Sequence, residues 1–154
     1  MASGAIVGVD VVQAGSDHNQ SVPLREQVEQ RTGQKVKEHL MDQGYVDMNS
    51  IEQAERHGVT VYAPLPKGKN GKPVTASRWD TEWTAAWRTR MQTPTAQYIY
   101  KTQRAATSER VNAELQDRLG LRRFVVRRLP KVRCIALWAA LAFDVVHFAR
   151  HLLG

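Results

Sequence analysis

Strand-like and helix-like patterns alternate along this chain. Residues 5–12 are small or β-branched with one break at Asp10, the composition of a central strand, and Ala14-Gly15-Ser16-Asp17 supplies turn chemistry after them. Ser21-Val22-Pro23 opens a helix, because proline suits a first helical turn, and Leu24, Val28 and Arg31 recur at helical spacing up to a stop at Gly33. A second strand over about 35–41 brings Asp42 to its C-terminal mouth, where Asp42-Gln43-Gly44-Tyr45 reads as a turn. Asn49 or Ser50 then caps a short helix carrying Ile51, Ala54 and Glu55. It closes at His57-Gly58, and residues 59–63 form a third strand. The order β-α-β-α-β predicts an α/β sheet.

Between 64 and 77 the chain is rich in Pro, Gly and Lys, with Lys67, Lys69 and Lys72 and little apolar anchorage, which predicts a mobile basic loop. Trp79, Trp83 and Trp87 follow at i, i+4 and i+8 on one face of a helix whose first turn is acidic through Asp80 and Glu82, the pattern of a core-packing stripe. A further helix over about 107–119 buries Val111 and Leu115, turns Glu109 away from them, and ends at Gly120. After Leu129-Pro130 a C-terminal helix, about 130–153, carries Ile135, Trp138, Leu141, Ala142, Val145 and Leu152 on a broad apolar face, as a helix covering a sheet would.

A chain of 154 residues has the length of one domain and can bury roughly 68–70% of its unfolded surface. Its longest apolar run, 134–143, stops at Asp144, short of the roughly 20 residues that a bilayer-spanning helix needs. This predicts a buried helix and no membrane partner. The N-terminus lacks a basic leader and a long apolar stretch. The single cysteine, Cys134, excludes an internal disulfide and a multi-cysteine zinc site; it is expected in the core, and a reducing cytoplasm is the expected location.

Charge changes the picture once it is mapped. Residues 1–100 hold 11 Lys/Arg against 11 Asp/Glu, residues 101–133 hold 10 against 3, and residues 134–154 hold one of each, so the entire net +7 lies in 33 residues. Such a stripe, including Arg118, Arg122, Arg123, Arg127, Arg128, Lys131 and Arg133, suits phosphate binding with counterion release, or else is a solvated basic face.

Motifs exclude more than they select. There is no P-loop, no dinucleotide glycine pattern, no Gly-x-Ser-x-Gly elbow and no paired-His zinc motif, so nucleotide-dependent chemistry has no support. Asp144, His147 and His151 share a helical face at i, i+3 and i+7, which is either a metal-binding spacing or the polar side of an apolar helix. Asp42 at a strand mouth and Glu109 within the basic stripe are two acids placed for chemistry, and equally a turn former and a solvated helical glutamate.

Four segments, in order, resemble a known family: Gly4-Ala5-Ile6-Val7-Gly8-Val9-Asp10-Val11 leading to Ala14-Gly15-Ser16-Asp17; Leu40-Met41-Asp42-Gln43-Gly44-Tyr45 with Val59-Thr60-Val61-Tyr62-Ala63-Pro64; Ala86-Trp87-Arg88-Thr89-Arg90-Met91; and Arg104-Ala105-Ala106-Thr107-Ser108-Glu109-Arg110-Val111-Asn112-Ala113, continuing into Gly120-Leu121-Arg122-Arg123-Phe124 and Lys131-Val132-Arg133. The chain is similar to the C-terminal half of bacterial insertion-sequence transposases with a ribonuclease-H-like DDE domain. The resemblance implies an α/β fold over residues 1–154, an incomplete ribonuclease-H-like domain with a mixed sheet, flanking helices and a helical C-terminal part. It makes Asp42 the second catalytic Asp and Glu109 the catalytic Glu, both ligands of Mg²⁺ or Mn²⁺. These hard ions prefer oxygen ligands, and a pair of them roughly 3.5–4 Å apart supports phosphodiester cleavage and strand transfer.

DNA is the implied partner, together with another copy of the chain or an intact transposase. The cations expected against DNA are Lys67, Lys69, Lys101, Arg104, Arg110, Arg122, Arg123, Arg127, Arg128 and Lys131. The family's first catalytic Asp would fall upstream of Met1, and Asp10, the nearest substitute, sits inside the expected strand. The spacings from Tyr100 to Arg104 and from Arg104 to Glu109 are each one residue looser than in many relatives. The chain is therefore expected to be inactive by itself and to aggregate through an unpaired strand edge. The alternative from another functional class is a noncatalytic DNA-binding protein or regulator derived from a transposase.

Overall fold

A computed structural model describes residues 4–13, 15 and 19–152, the side chains of residues 108 and 150–152 excepted. The chain falls into two units, Gly15–Arg104 and Met1–Ala14 with Ala105–Gly154. It is a mixed α/β structure dominated by helices, with a two-stranded parallel sheet.

In the first unit, α1 (Ser21–Thr32) forms where Pro23 predicts it, in the first turn, whose N–H groups have no intrahelical acceptor. Gly33 ends it at φ 66°, a left-handed conformation that glycine adopts without a Cβ clash, and donates its N–H to the Glu29 carbonyl. Strand β1 (Glu38–Leu40) pairs in parallel with β2 (Thr60–Tyr62), in the register Glu38 to Thr60 and Leu40 to Tyr62. Both lie inside the expected windows of 35–41 and 59–63 but are shorter. The crossover between them is α2 (Met48–Arg56), capped not by Asn49 or Ser50 but by Asp47, whose carboxylate accepts the Ser50 N–H at 2.9 Å.

The core lies between this β-α-β unit and two further helices, α3 (Glu82–Met91) and α4 (Pro94–Arg104). Met41, Ile51, Ala54, Val59, Val61, Ala63, Trp87, Met91 and Ala96 are buried together. A capping box between Thr81 and Thr84 starts α3 after Trp79, so the expected tryptophan stripe reduces to Trp87. Trp79 is 77% exposed beneath the Arg78 guanidinium, Trp83 is half-buried, and Trp87 is fully buried. α4 was not legible from apolar spacing; its signal is Thr93-Pro94, in which the Thr93 hydroxyl accepts the Ala96 N–H at 3.2 Å and proline occupies the first helical position.

Two ion pairs tie these layers. Arg90 of α3 pairs with Glu55 of α2, whose carboxylate also accepts the Val61 N–H at 2.8 Å. Arg88 donates to Asp80 at 2.9 Å and to the Val74 carbonyl at 2.6 Å. Val74 closes segment 64–77, which has the geometry of a small hairpin: a bridge from Lys67 to Pro73, Gly68 N–H to Lys72 O at 2.9 Å and Val74 N–H to Pro66 O at 2.8 Å. On β1, His39 has its pKa lowered to about 4, first by burial and then by the nearby Arg25 charge.

The second unit differs more from expectation. Residues 4–13 form no strand; β-branched residues make one only where another backbone edge offers a ladder. Here the Ile6 N–H donates instead to Asp144 Oδ1 at 2.8 Å, and Asp10 pairs with Arg133 at 2.7 Å, so the segment runs antiparallel along the C-terminal helix α6 (Leu129–Leu152). Of the turn expected at 14–17, all but Gly15 lies outside the described residues. The expected helix over 107–119 is a π turn, Ala105–Glu109, followed by α5 (Arg110–Asp117), with Val111 and Leu115 half-buried.

The orientation of α6 corrects the sequence reading. Its buried residues are Ala136, Ala139, Ala140 and Phe143, whereas Trp138, Leu141 and Val145, expected to cover a sheet, are exposed, as is Cys134, expected in the core. Small side chains on the Ala136/Ala140 side permit close approach, and Asp144 on that side has a backbone N–H to accept. The apolar run counted from the sequence also understated the helix: the 21 residues Leu129–Ala149 within it are long and apolar enough to cross a bilayer by length and composition, and with only 22% of the most apolar stretch buried the expected buried helix is not what forms.

Candidate nucleic-acid interface

Asp42 stands where its strand predicts, two residues beyond the end of β1. Its backbone turns into a 3-10 turn, Gln43–Tyr45, and Oδ1 caps that turn by accepting the Gln43 N–H at 2.6 Å. Oδ2 lies 3.2 Å from the Arg104 guanidinium, and Arg104 also sits 6.0 Å from the Tyr100 ring, one turn earlier on α4. The looser spacing between Tyr100 and Arg104 therefore still places them on one helical face, with Arg104 directed at an acid rather than left for phosphate.

Glu109 closes the π turn and is exposed; it belongs to the second unit and Asp42 to the first. Among the described residues no three His, Cys, Asp or Glu side chains come together as a group able to hold a metal ion. Within the first unit Asp42 is engaged by a backbone amide and an arginine, and no other carboxylate among the described residues of that unit joins it in the oxygen cluster that Mg²⁺ or Mn²⁺ prefers. Asp10, the nearest substitute for the family's first Asp, is held by Arg133 and by its own neighbour's N–H, with Val11 donating to Oδ1 at 2.6 Å. Asp144 accepts the Ile6 amide, and His147 stacks on Phe143 at 4.1 Å and lies 3.1 Å from Glu114, so these two serve packing. The side chain of His151 lies outside the described residues.

The cations present a simpler arrangement. No acidic residue occurs from Arg118 to Arg133, and Arg118, Arg122, Arg123, Arg127, Arg128, Lys131 and Arg133 are all exposed. Arg122 pairs with Asp117 at 2.5 Å and Arg133 with Asp10, while Arg110, Arg118, Arg123, Arg127, Arg128 and Lys131 have no ion-pair partner among the described residues. Lys67 and Lys69 lie exposed on the hairpin of the first unit, and Lys101 lies exposed on α4.

Residues 118–128 connect α5 to α6 without regular helix. Leu121 N–H to Leu115 O at 3.0 Å closes the helix end, and Gly120 turns the chain at φ 73°. Arg128 adopts φ 78°, a left-handed conformation that costs a non-glycine residue about 1–2 kcal/mol. It does so at the start of α6, where its carbonyl accepts the Lys131 and Val132 N–H groups and the helix dipole adds partial positive charge. Between the arginine pairs, Phe124 and Val125 are exposed, Val125 at 90%. Apolar residues interleaved with arginines were visible in the sequence, but their exposure was not. No protein-family model, curated protein or solved structure matches this chain.

Proposed function

We propose that this chain binds DNA through its phosphate backbone, chiefly by the arginine-rich stretch 110–133, and that it derives from the ribonuclease-H-like catalytic domain of a DDE transposase. One observation carries the binding: six exposed cations in that stretch have no ion-pair partner among the described residues, so phosphates can replace their counterions without breaking an internal pair. Exposed Phe124 offers a flat apolar surface beside the charges, suited to an unstacked base or a sugar. The binding is sequence-tolerant, because flexible arginines on a connecting segment reach phosphates more readily than base edges. Transposase ancestry rests on the four ordered segments, and in this reading Asp42 serves Arg104 instead of a metal.

The test is fluorescence anisotropy with short labelled duplexes of two unrelated sequences. Both should bind with affinities within a few-fold, and replacing Arg122, Arg123, Arg127 and Arg128 by Gln should weaken binding by more than roughly tenfold. Undiminished binding by that variant would remove the proposed surface. Incubation with supercoiled plasmid and Mn²⁺ should leave the plasmid intact; nicking lost on Asp42→Asn would instead favour the cleavage chemistry that the resemblance implies.

A further inference from the structure

Segment 64–79 of the first unit presents a surface that neither the core nor the internal ion pairs account for. It holds four cations, Lys67, Lys69, Lys72 and Arg78, and no acid. All four are exposed, and none has an ion-pair partner among the described residues. The first acid after them, Asp80, is spent inward, its side chain 10% exposed and 2.9 Å from Arg88. The next exposed acid along the chain is Glu82, in the first turn of α3. The segment is also held in place. Gly71 N–H closes a turn on the Gly68 carbonyl at 2.9 Å, which sets Lys69 at the tip of the hairpin with Lys67 and Lys72 on its two arms. Arg88 ties the base of the hairpin through the Val74 carbonyl. Five residues on, Trp79 sits in a turn of its own: the Ser77 hydroxyl accepts the Trp79 N–H at 3.3 Å, and Asp80 accepts the Ser77 N–H at 2.7 Å. There the indole is 77% exposed, with the Arg78 guanidinium 4.6 Å from its ring centroid. A guanidinium covers one face of a ring, so exposure of this extent leaves the other face to solvent.

We infer that this segment binds an unpaired DNA strand, the open face of Trp79 stacking on a base while Lys67, Lys69 and Lys72 hold phosphates beside it. Lysines alone would suit any polyanion; the indole narrows the choice. Its open face needs a flat aromatic partner, and a duplex keeps its bases stacked on one another, whereas a single strand can offer one. An acidic peptide would match the charges but leave the indole face in water. A membrane surface is the poorer occupant, because anchoring there grows with the apolar area buried. Trp79 is the only large hydrophobic residue exposed in 64–79, Leu65 and Val74 being half-buried. The site shares no residue with 110–133; only the choice of DNA over RNA rests on the DNA reading above.

The test uses the full chain with Arg122, Arg123, Arg127 and Arg128 replaced by Gln, so that failure of that surface and failure of this one are read separately. Oligothymidylate of about a dozen nucleotides should bind at low salt and quench tryptophan emission. Adding Trp79→Ala should weaken binding roughly fivefold or more and remove most of the quenching, whereas Trp79→Phe, which keeps a ring, should stay within a few-fold. Lys67→Gln, Lys69→Gln and Lys72→Gln together should make the slope of log K against log salt shallower by about 2, three single-strand phosphates at roughly 0.7 each. Far-UV spectra should not change, since all these side chains are exposed. Absence of oligothymidylate binding, or binding and quenching undiminished by Trp79→Ala, would overturn the site. Tighter binding to polyglutamate, to anionic phospholipid vesicles or to a blunt duplex of the same length would overturn the unpaired strand as its ligand. Oligouridylate binding more than roughly tenfold tighter than oligothymidylate would overturn the assignment to DNA.

Discussion

Replacing Arg88 by Met removes a charge from one of the least accessible sites in the first unit. The Arg88 and Asp80 side chains are 5% and 10% exposed and 2.9 Å apart. The remaining guanidinium nitrogens reach the Val74 carbonyl at 2.6 Å and the Met48 sulfur at 3.5 Å, while Asp80 also accepts the Ser77 N–H at 2.7 Å. Methionine supplies similar length and no donors, so the Asp80 charge and the Val74 carbonyl lose a partner in a site with little access for water. Breaking a buried pair on one side costs about 3–5 kcal/mol, a large fraction of the roughly 5–15 kcal/mol that stabilises a domain. At a urea slope of about 1–3 kcal/mol per molar, the midpoint should fall by roughly 2 M. Tryptophan fluorescence can follow it, because Trp79, Trp83 and Trp87 all lie in this unit. Removing both charges, Asp80→Asn with Arg88→Met, should recover part of the loss, which a double-mutant cycle reads as coupling. A loss under about 1 kcal/mol for Arg88→Met would refute the claim that this pair fixes the 64–77 hairpin to α3.

Acid should weaken the first unit through His39. Its folded pKa of about 4 lies below the ordinary 6.5, so the unfolded chain binds the extra proton. Stability is complete above about pH 6.5 and falls between 6.5 and 4 by about 2 kcal/mol in all after allowance for partial solvent access; His39→Gln should flatten that slope in urea melts, and an unchanged slope would refute it. Arg128→Gly should raise stability by up to about 1 kcal/mol, because glycine accepts φ 78° without strain, while reducing DNA affinity; a destabilised variant would contradict the strain argument.

Local chemistry made much of the first unit legible. Pro23 and Gly33 bound α1, the β-α-β order produced a parallel pair, and the turn after β1 put Asp42 at the strand mouth. The misses arise where a tertiary partner decides between equal local choices. Residues 5–12 have strand composition, yet an extended chain becomes a strand only against another backbone edge, and a helix carboxylate, Asp144, takes the Ile6 amide instead. On α6 the apolar residues nearly encircle the helix, so periodicity cannot select the covered side; close packing through alanines does. For the candidate site, the density of cations was visible from counting, but the engagement of Arg104 by Asp42 depends on residues 62 positions apart.

The most direct test of the DNA reading is the salt dependence of duplex binding by the unaltered chain. Six cations in 110–133 without an ion-pair partner among the described residues, each displacing counterions from one phosphate, predict a slope of log K against log salt of about −5. A slope near that value, equal for unrelated sequences, is the expected result. Absence of binding at low salt, or a slope shallower than about −2, would contradict the assignment of this stretch as a phosphate-binding surface.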